Sequence, residues 1–198
     1  VEHLNMLGLR LPTDPRWVNL AERSLEAVLT DHAYCEQKAA STCISLIQSY
    51  PDYPRIVDEL APIVTEEWGH FRQVMRLIRQ RNLTLGRQRK DEYVNRLFAK
   101  IPKGQSREVA LLDKLLVSGL IEARSCERFR LLSLYLPEDE LKEFYHQFMV
   151  SEAGHYRLFL DLAREYFPSD TVDARWDQWL KDEAEIIGSL DLRGERMH

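Results

Sequence analysis

Only three cysteines occur in 198 residues, at Cys35, Cys43 and Cys126, and no two of them form a CxxC pair. An odd number cannot all pair within one chain. That favours a reducing compartment, and the cytoplasm is expected. No apolar run approaches the roughly 20 residues that a membrane-spanning helix needs. The opening VEHLNMLGLRLP places charges on both sides of a very short apolar run, which is not the layout of a secretory signal. Positive charge is not in excess: 27 Lys and Arg face 32 Asp and Glu, for a net −5, so the chain is not basic throughout. Runs of β-branched residues are scarce, and no strand is predicted. Glycine and proline number eight each, too few to pervade the chain, and they fall between long segments.

Those long segments carry helical periodicity. They run from about Asp14 to Tyr50, with an interruption expected near Thr30-Asp31, then Tyr53 to Asn82, Ser106 to Tyr135, Glu138 to Tyr166 and Asp170 to Gly188. Ser106 has the chemistry of an N-cap, and Pro137-Glu138 suits a helix start. The stretch 83–105 is left as a connection. Helices approaching 30 residues with short breaks between them predict an all-α antiparallel bundle. The length suits one domain over residues 1–198, and an apolar content of 44% is enough to give it a core.

A weak internal repeat runs through the polar residues. Glu36 precedes Glu67-x-x-His70 by 31 positions, and Glu122 precedes Glu152-x-x-His155 by 30. Each of these residues lies in an apolar stripe stepping by three or four. The stripes are Leu29, Ala33, Glu36, Ala40, Cys43, Ile47; then Leu60, Ile63, Glu67, His70, Val74, Leu77; then Leu112, Leu115, Gly119, Glu122, Cys126, Phe129; and Phe144, Phe148, Glu152, His155, Phe159, Leu162. Four carboxylates and two imidazoles are thus expected in the bundle interior.

Unpaired carboxylates in an apolar interior are costly, and four together repel one another. Two shared metal cations remove both problems. Oxygen-rich ligation with one imidazole per metal suits iron or manganese, with iron preferred where oxygen chemistry follows. One Glu-x-x-His alone says little, and the sequence holds a second one, Glu143-x-x-His146. Nine residues at 100° each put that pair on the opposite side of the same helix from Glu152 and His155, so it is expected in solvent. Glu127 competes with Glu122, because it follows a cysteine as Glu36 does. It leaves the Gly119/Cys126 stripe, however, and Glu122 is preferred.

Two Glu…Glu-x-x-His halves in a helical chain resemble the ferritin-like di-iron family. Within it, LIEARSCERF followed by SEAGHYRLF resembles the tRNA hydroxylases that act on 2-methylthio-N6-isopentenyladenosine, over roughly Thr30 to Phe167. The resemblance implies a ferritin-like antiparallel four-helix bundle, core about 30–167, with additional N- and C-terminal helices. It implies two iron ions bound by Glu36, Glu67, His70, Glu122, Glu152 and His155, with O2 as co-substrate. The reaction implied is hydroxylation of the isopentenyl side chain by a monooxygenase. Phe129, Phe148 and Phe159 are candidates for the substrate pocket, although each serves equally as core. Gly119 leaves room for O2 or for helix packing.

No flavin or nicotinamide fingerprint occurs, and no four-cysteine pattern for an iron–sulfur cluster, so the electrons are expected from an external donor, a reductase or ferredoxin. From Arg72 to Lys90 there are seven basic residues (Arg72, Arg76, Arg79, Arg81, Arg87, Arg89, Lys90) and no acidic one. Net −5 without these seven positive charges leaves −12 elsewhere. The segment is predicted to dock a tRNA backbone, with Lys100, Lys103 and Arg107 extending the patch. Rival readings are iron or peroxide handling and a quinone-type lipid-like substrate. The second would use the C-terminal WDQWLKDEAEIIGSL, through Trp176, Trp179 and Leu180, at a membrane. Its polar face is mainly acidic, so packing on the bundle is expected instead. The protein is expected as a monomer or small oligomer with no membrane partner.

Overall fold

Alternating long helices and short turns define the architecture. The computed structural model describes residues 7–198, so the segment VEHLNM of the opening stretch lies outside the described residues. Seven helices and no strand occur among them: α1 (Arg16–Arg23), α2 (Leu25–Ser49), α3 (Pro54–Gln80), α4 (Glu92–Ala99), α5 (Arg107–Tyr135), α6 (Asp139–Tyr166) and α7 (Ser169–Ser189). None is long and apolar enough to cross a membrane. The chain divides into two compact units. One holds Asn19–Lys90 with Arg193–Met197; the other holds residues 7–18, Asp91–Leu192 and His198.

In the first unit α2 packs against α3. Four residues, 50–53, reverse the chain, with Tyr53 N–H donating to the Tyr50 carbonyl at 3.1 Å and Pro54 opening α3. Proline suits a first helical turn because the missing N–H has no intrahelical partner there. The interruption expected near Thr30-Asp31 does not exist; it falls at Ser24, and α2 runs unbroken through Thr30 and Asp31. Their polar side chains look like breakers in sequence but bind other segments. Thr30 Oγ1 accepts from Gly86 N–H at 3.1 Å, and Asp31 accepts from Met197 N–H at 2.8 Å and pairs with Arg196 at 3.1 Å. The C-terminal stretch that brings Arg196 there passes very close to α1. A Cβ on Gly194 would lie 2.3 Å from the Leu20 carbonyl carbon. Gly194→Ala is expected to cost about 1–3 kcal/mol by overpacking, read as a lower urea midpoint.

In the second unit α5 packs against α6, and α4 and α7 pack on this pair. Ser106 caps α5, accepting from Val109 N–H at 3.3 Å, as the sequence indicated. The eight-residue α4 was not expected. It is capped by Asp91, which accepts from Val94 N–H at 3.0 Å, and it is anchored by buried Tyr93 and Leu97. Helix α7 is held by the buried Trp179, whose indole donates to Asp113 at 2.8 Å, and by Arg175 to the same carboxylate at 2.6 Å. It packs on the protein, as its acidic polar face implied.

Candidate metal centre

All six glutamate and histidine residues of the internal repeat are buried, none more than 8% exposed. In the first unit, α2 supplies Glu36 and α3 supplies Glu67 and His70. Spacing of three residues puts the last two on one face of α3. His70 Nδ1 lies 3.3 Å from Glu36 Oε2 and 3.5 Å from Glu67 Oε2. Burial alone would disfavour the charged imidazole, but hydrogen bonds and charges from Glu36 and Glu67 outweigh it and raise His70 to about 10. A metal ion binding there must displace that proton.

One participant escaped the sequence reading. His32 is fully buried, and its Nε2 stands 2.8 Å from Glu36 Oε1, whereas His70 meets the other carboxylate oxygen, Oε2. An imidazole so placed orients the carboxylate toward its ligand. The signal was present: His32 is one turn before Glu36, on the same face of α2.

In the second unit, α5 supplies Glu122 and α6 supplies Glu152 and His155. His155 Nδ1 is 3.3 Å from Glu152 Oε2. Each residue of this triad offers a ligand atom within 4.8 Å of the others, and the same holds for Glu36, Glu67 and His70. One turn beyond Glu122, the Cys126 thiol donates to the Met149 carbonyl at 3.2 Å. Burial first, then the charge of Glu152, pushes this thiol up to about 12. Gly119 serves packing: a Cβ there would sit 3.4 Å from Phe159 Cβ, so its absence lets α5 and α6 approach. Phe129, Phe148 and Phe159 are core residues, with Phe129 and Phe148 in edge contact at 5.6 Å.

The competing residues lie elsewhere. Glu143 and His146 are exposed. Glu127 belongs to a different buried cluster, in which it accepts from Thr13 N–H at 2.9 Å and Thr13 Oγ1 at 2.7 Å and pairs with Arg124. Arg124 also donates to Glu183 at 2.8 Å and to the Leu11 carbonyl at 2.8 Å, and Tyr93 donates to the same Glu183 at 3.2 Å.

The basic segment follows His70 along α3 and continues past it. Arg72, Arg76, Arg79, Arg87, Arg89 and Lys90 run along this segment, all of them exposed, with Arg81 half-buried among them. Asn82 takes a positive φ of 54°, and Leu83 N–H returns to the Ile78 carbonyl at 2.9 Å, which ends α3 with a left-handed cap. The chain beyond is tied to α2 by Thr84 N–H to Glu26 at 2.8 Å and by Tyr34 OH to the Gly86 carbonyl at 3.0 Å. Lys100 does not extend this patch: it pairs with Asp182 at 2.9 Å and Glu185 at 3.2 Å on α7.

Two carboxylates and one imidazole in each buried triad form an oxygen-rich donor set that fits iron or manganese. The fold agrees. A solved structure titled "Protein 43 with aldehyde deformylating oxygenase activity from Synechococcus" matches with a TM-score of 0.89 and 35% identity, covering 96% of this chain and 94% of that one. The protein is thus an all-α, ferritin-like chain with buried carboxylate and histidine clusters compatible with an iron centre. Residues 2–198 match the family described as tRNA-(MS[2]IO[6]A)-hydroxylase (MiaE), and the chain belongs to that family. Two relatives carry the name tRNA 2-(methylsulfanyl)-N(6)-isopentenyladenosine(37) hydroxylase. The one from Pseudomonas putida is 39% identical over 185 residues, covering 92% of this chain and 88% of the relative. The one from Salmonella typhimurium is 30% identical over 245 residues, covering 96% and 87%.

Proposed function

We propose that this protein is a di-iron, O2-dependent monooxygenase that hydroxylates the isopentenyl side chain of 2-methylthio-N6-isopentenyladenosine in tRNA. The observation that carries it is the twice-repeated buried triad in a chain of this hydroxylase family. Glu36, Glu67 and His70 would hold one iron, and Glu122, Glu152 and His155 the other, in a single ferritin-like domain. When bound, the iron pair supplies O2 activation: one oxygen atom enters a C–H bond, and the other leaves as water with two protons and two external electrons.

The side chains do the rest. The four carboxylates would balance the metal charge, and each histidine would give one nitrogen ligand. His32 holds Glu36 in its ligating orientation. Buried Phe129, Phe148 and Phe159, each within two turns of a triad residue in the second unit, keep that part of the interior apolar. The basic segment Arg72–Lys90 docks the tRNA backbone while one base is presented for reaction. A reductase or ferredoxin supplies the electrons. The protein acts in the cytoplasm, where tRNA is found, as a monomer or small oligomer.

The test is direct. Reduced, iron-loaded protein is incubated with O2 and tRNA carrying the isopentenyl modification, and the digested nucleosides are weighed by mass spectrometry. A gain of one oxygen atom that depends on iron is expected. No gain, or the same gain from iron-free protein, overturns the reading.

A further inference from the structure

Trp68 is 47% exposed, on a helix that buries Leu60, Val74, Leu77 and Ile78. Its indole stacks on Phe71, with ring centroids 4.8 Å apart and planes 20° from parallel. The stack orders an aromatic surface that would otherwise be mobile in water. At 100° per residue, Trp68, Arg72, Met75, Arg76 and Arg79 fall within about 100° of one another around α3. Arg72, Arg76 and Arg79 are all exposed, and no acidic residue occurs from Trp68 to Lys90. The outer face of α3 therefore starts with an aromatic plate and continues as a file of guanidinium groups.

We propose that this face is a platform for single-stranded RNA: Trp68, backed by Phe71, stacks an unpaired base, while Arg72, Arg76 and Arg79 hold neighbouring phosphates. The proposal rests on the tRNA reading above and names where the loop is gripped. An aromatic plate beside positive charge matches a strand that offers both π faces and phosphates. A second copy of the chain suits the face poorly, because a two-fold contact would set these arginines against their own equivalents. Glu67 and His70 lie on the buried side of α3, so the base stacked on Trp68 is a neighbour of the reacting base. One base is clamped outside while another is free to enter.

The experiment measures affinity for a labelled anticodon stem-loop RNA by fluorescence anisotropy at several salt concentrations, using the full chain. Trp68→Ala is expected to weaken binding by roughly 5- to 150-fold, the loss of one base–aromatic stack, at every salt concentration. Trp68→Phe should recover most of the affinity, since it keeps a π face. Arg76→Gln should instead lower the salt slope by about 0.7 to 1, the signature of one lost phosphate contact. Iron content stays at the wild-type level in all three. Unchanged affinity in Trp68→Ala overturns the platform and leaves the tRNA reading standing; a wild-type protein that does not bind RNA sinks both. Two other outcomes also overturn it. If Trp68→Ala binds RNA normally but sediments differently, the face joins copies of the chain. If it loses only turnover driven by the external reductant, the face seats an electron-donor protein.

Discussion

Glu122→Ala is expected to lower formation of the hydroxylated nucleoside by at least about 100-fold, beyond the 10- to 100-fold typical of residues that only support a ligand. The carboxylate it removes is one of two in its triad. The remaining Glu152 and His155 leave a site too poor in oxygen donors to hold iron. Iron content should therefore fall from about two per chain, the complement of this ligand pattern. The control is Glu127→Ala, little more than one turn away on α5. Glu127 is engaged by Thr13 and Arg124, so its removal should leave iron content unchanged and show itself in stability. If Glu127→Ala loses iron and Glu122→Ala keeps it, the assignment of the second triad is wrong.

Arg124→Ala carries the largest expected stability change. The guanidinium is fully buried and answers Glu127, Glu183, Thr13 and the Leu11 carbonyl together. Removing it strands two buried carboxylates, and breaking such a pair typically costs about 3–5 kcal/mol. For a chain of this size that corresponds to a fall in Tm of roughly 10 °C, measured by thermal unfolding of the iron-free protein. Arg124 links α5 to α7 and to the segment before α1, so the loss should appear as one cooperative shift. An unchanged Tm would show that the cluster contributes nothing net. Replacing Arg124, Glu127 and Glu183 together by apolar residues of similar volume should recover much of the loss, because an apolar core needs no charge partner.

Much of the α architecture was legible because helix periodicity is a property of the sequence itself. The four stripes map onto α2, α3, α5 and α6, and their glutamates and histidines are all buried. The rivalry between Glu122 and Glu127 was decided by stripe membership. The structure adds a reason that no local pattern contains, since Thr13 lies 114 residues from Glu127. Distance in sequence also explains the misplaced break in the first helical region. Thr30 and Asp31 look like helix-breaking residues until Gly86 and Met197 supply their partners. Helix α4 was missed because eight residues offer only two buried apolar anchors, Tyr93 and Leu97, which is too little for a periodic signal. His32 was overlooked for a different reason. It sat at a readable spacing, but a histidine four residues before a glutamate falls outside the Glu-x-x-His pattern.

The buried thiol of Cys126 has a consequence for durability. A catalyst of the proposed kind, which would handle O2, would be exposed to stray oxidants, and thiols are open to attack by them. Attack proceeds through the thiolate, and a group held at about 12 is almost wholly neutral at ordinary pH. The neutral thiol, donating to the Met149 carbonyl one turn from Glu122, would thus offer an oxidant little thiolate on the helix that carries that carboxylate.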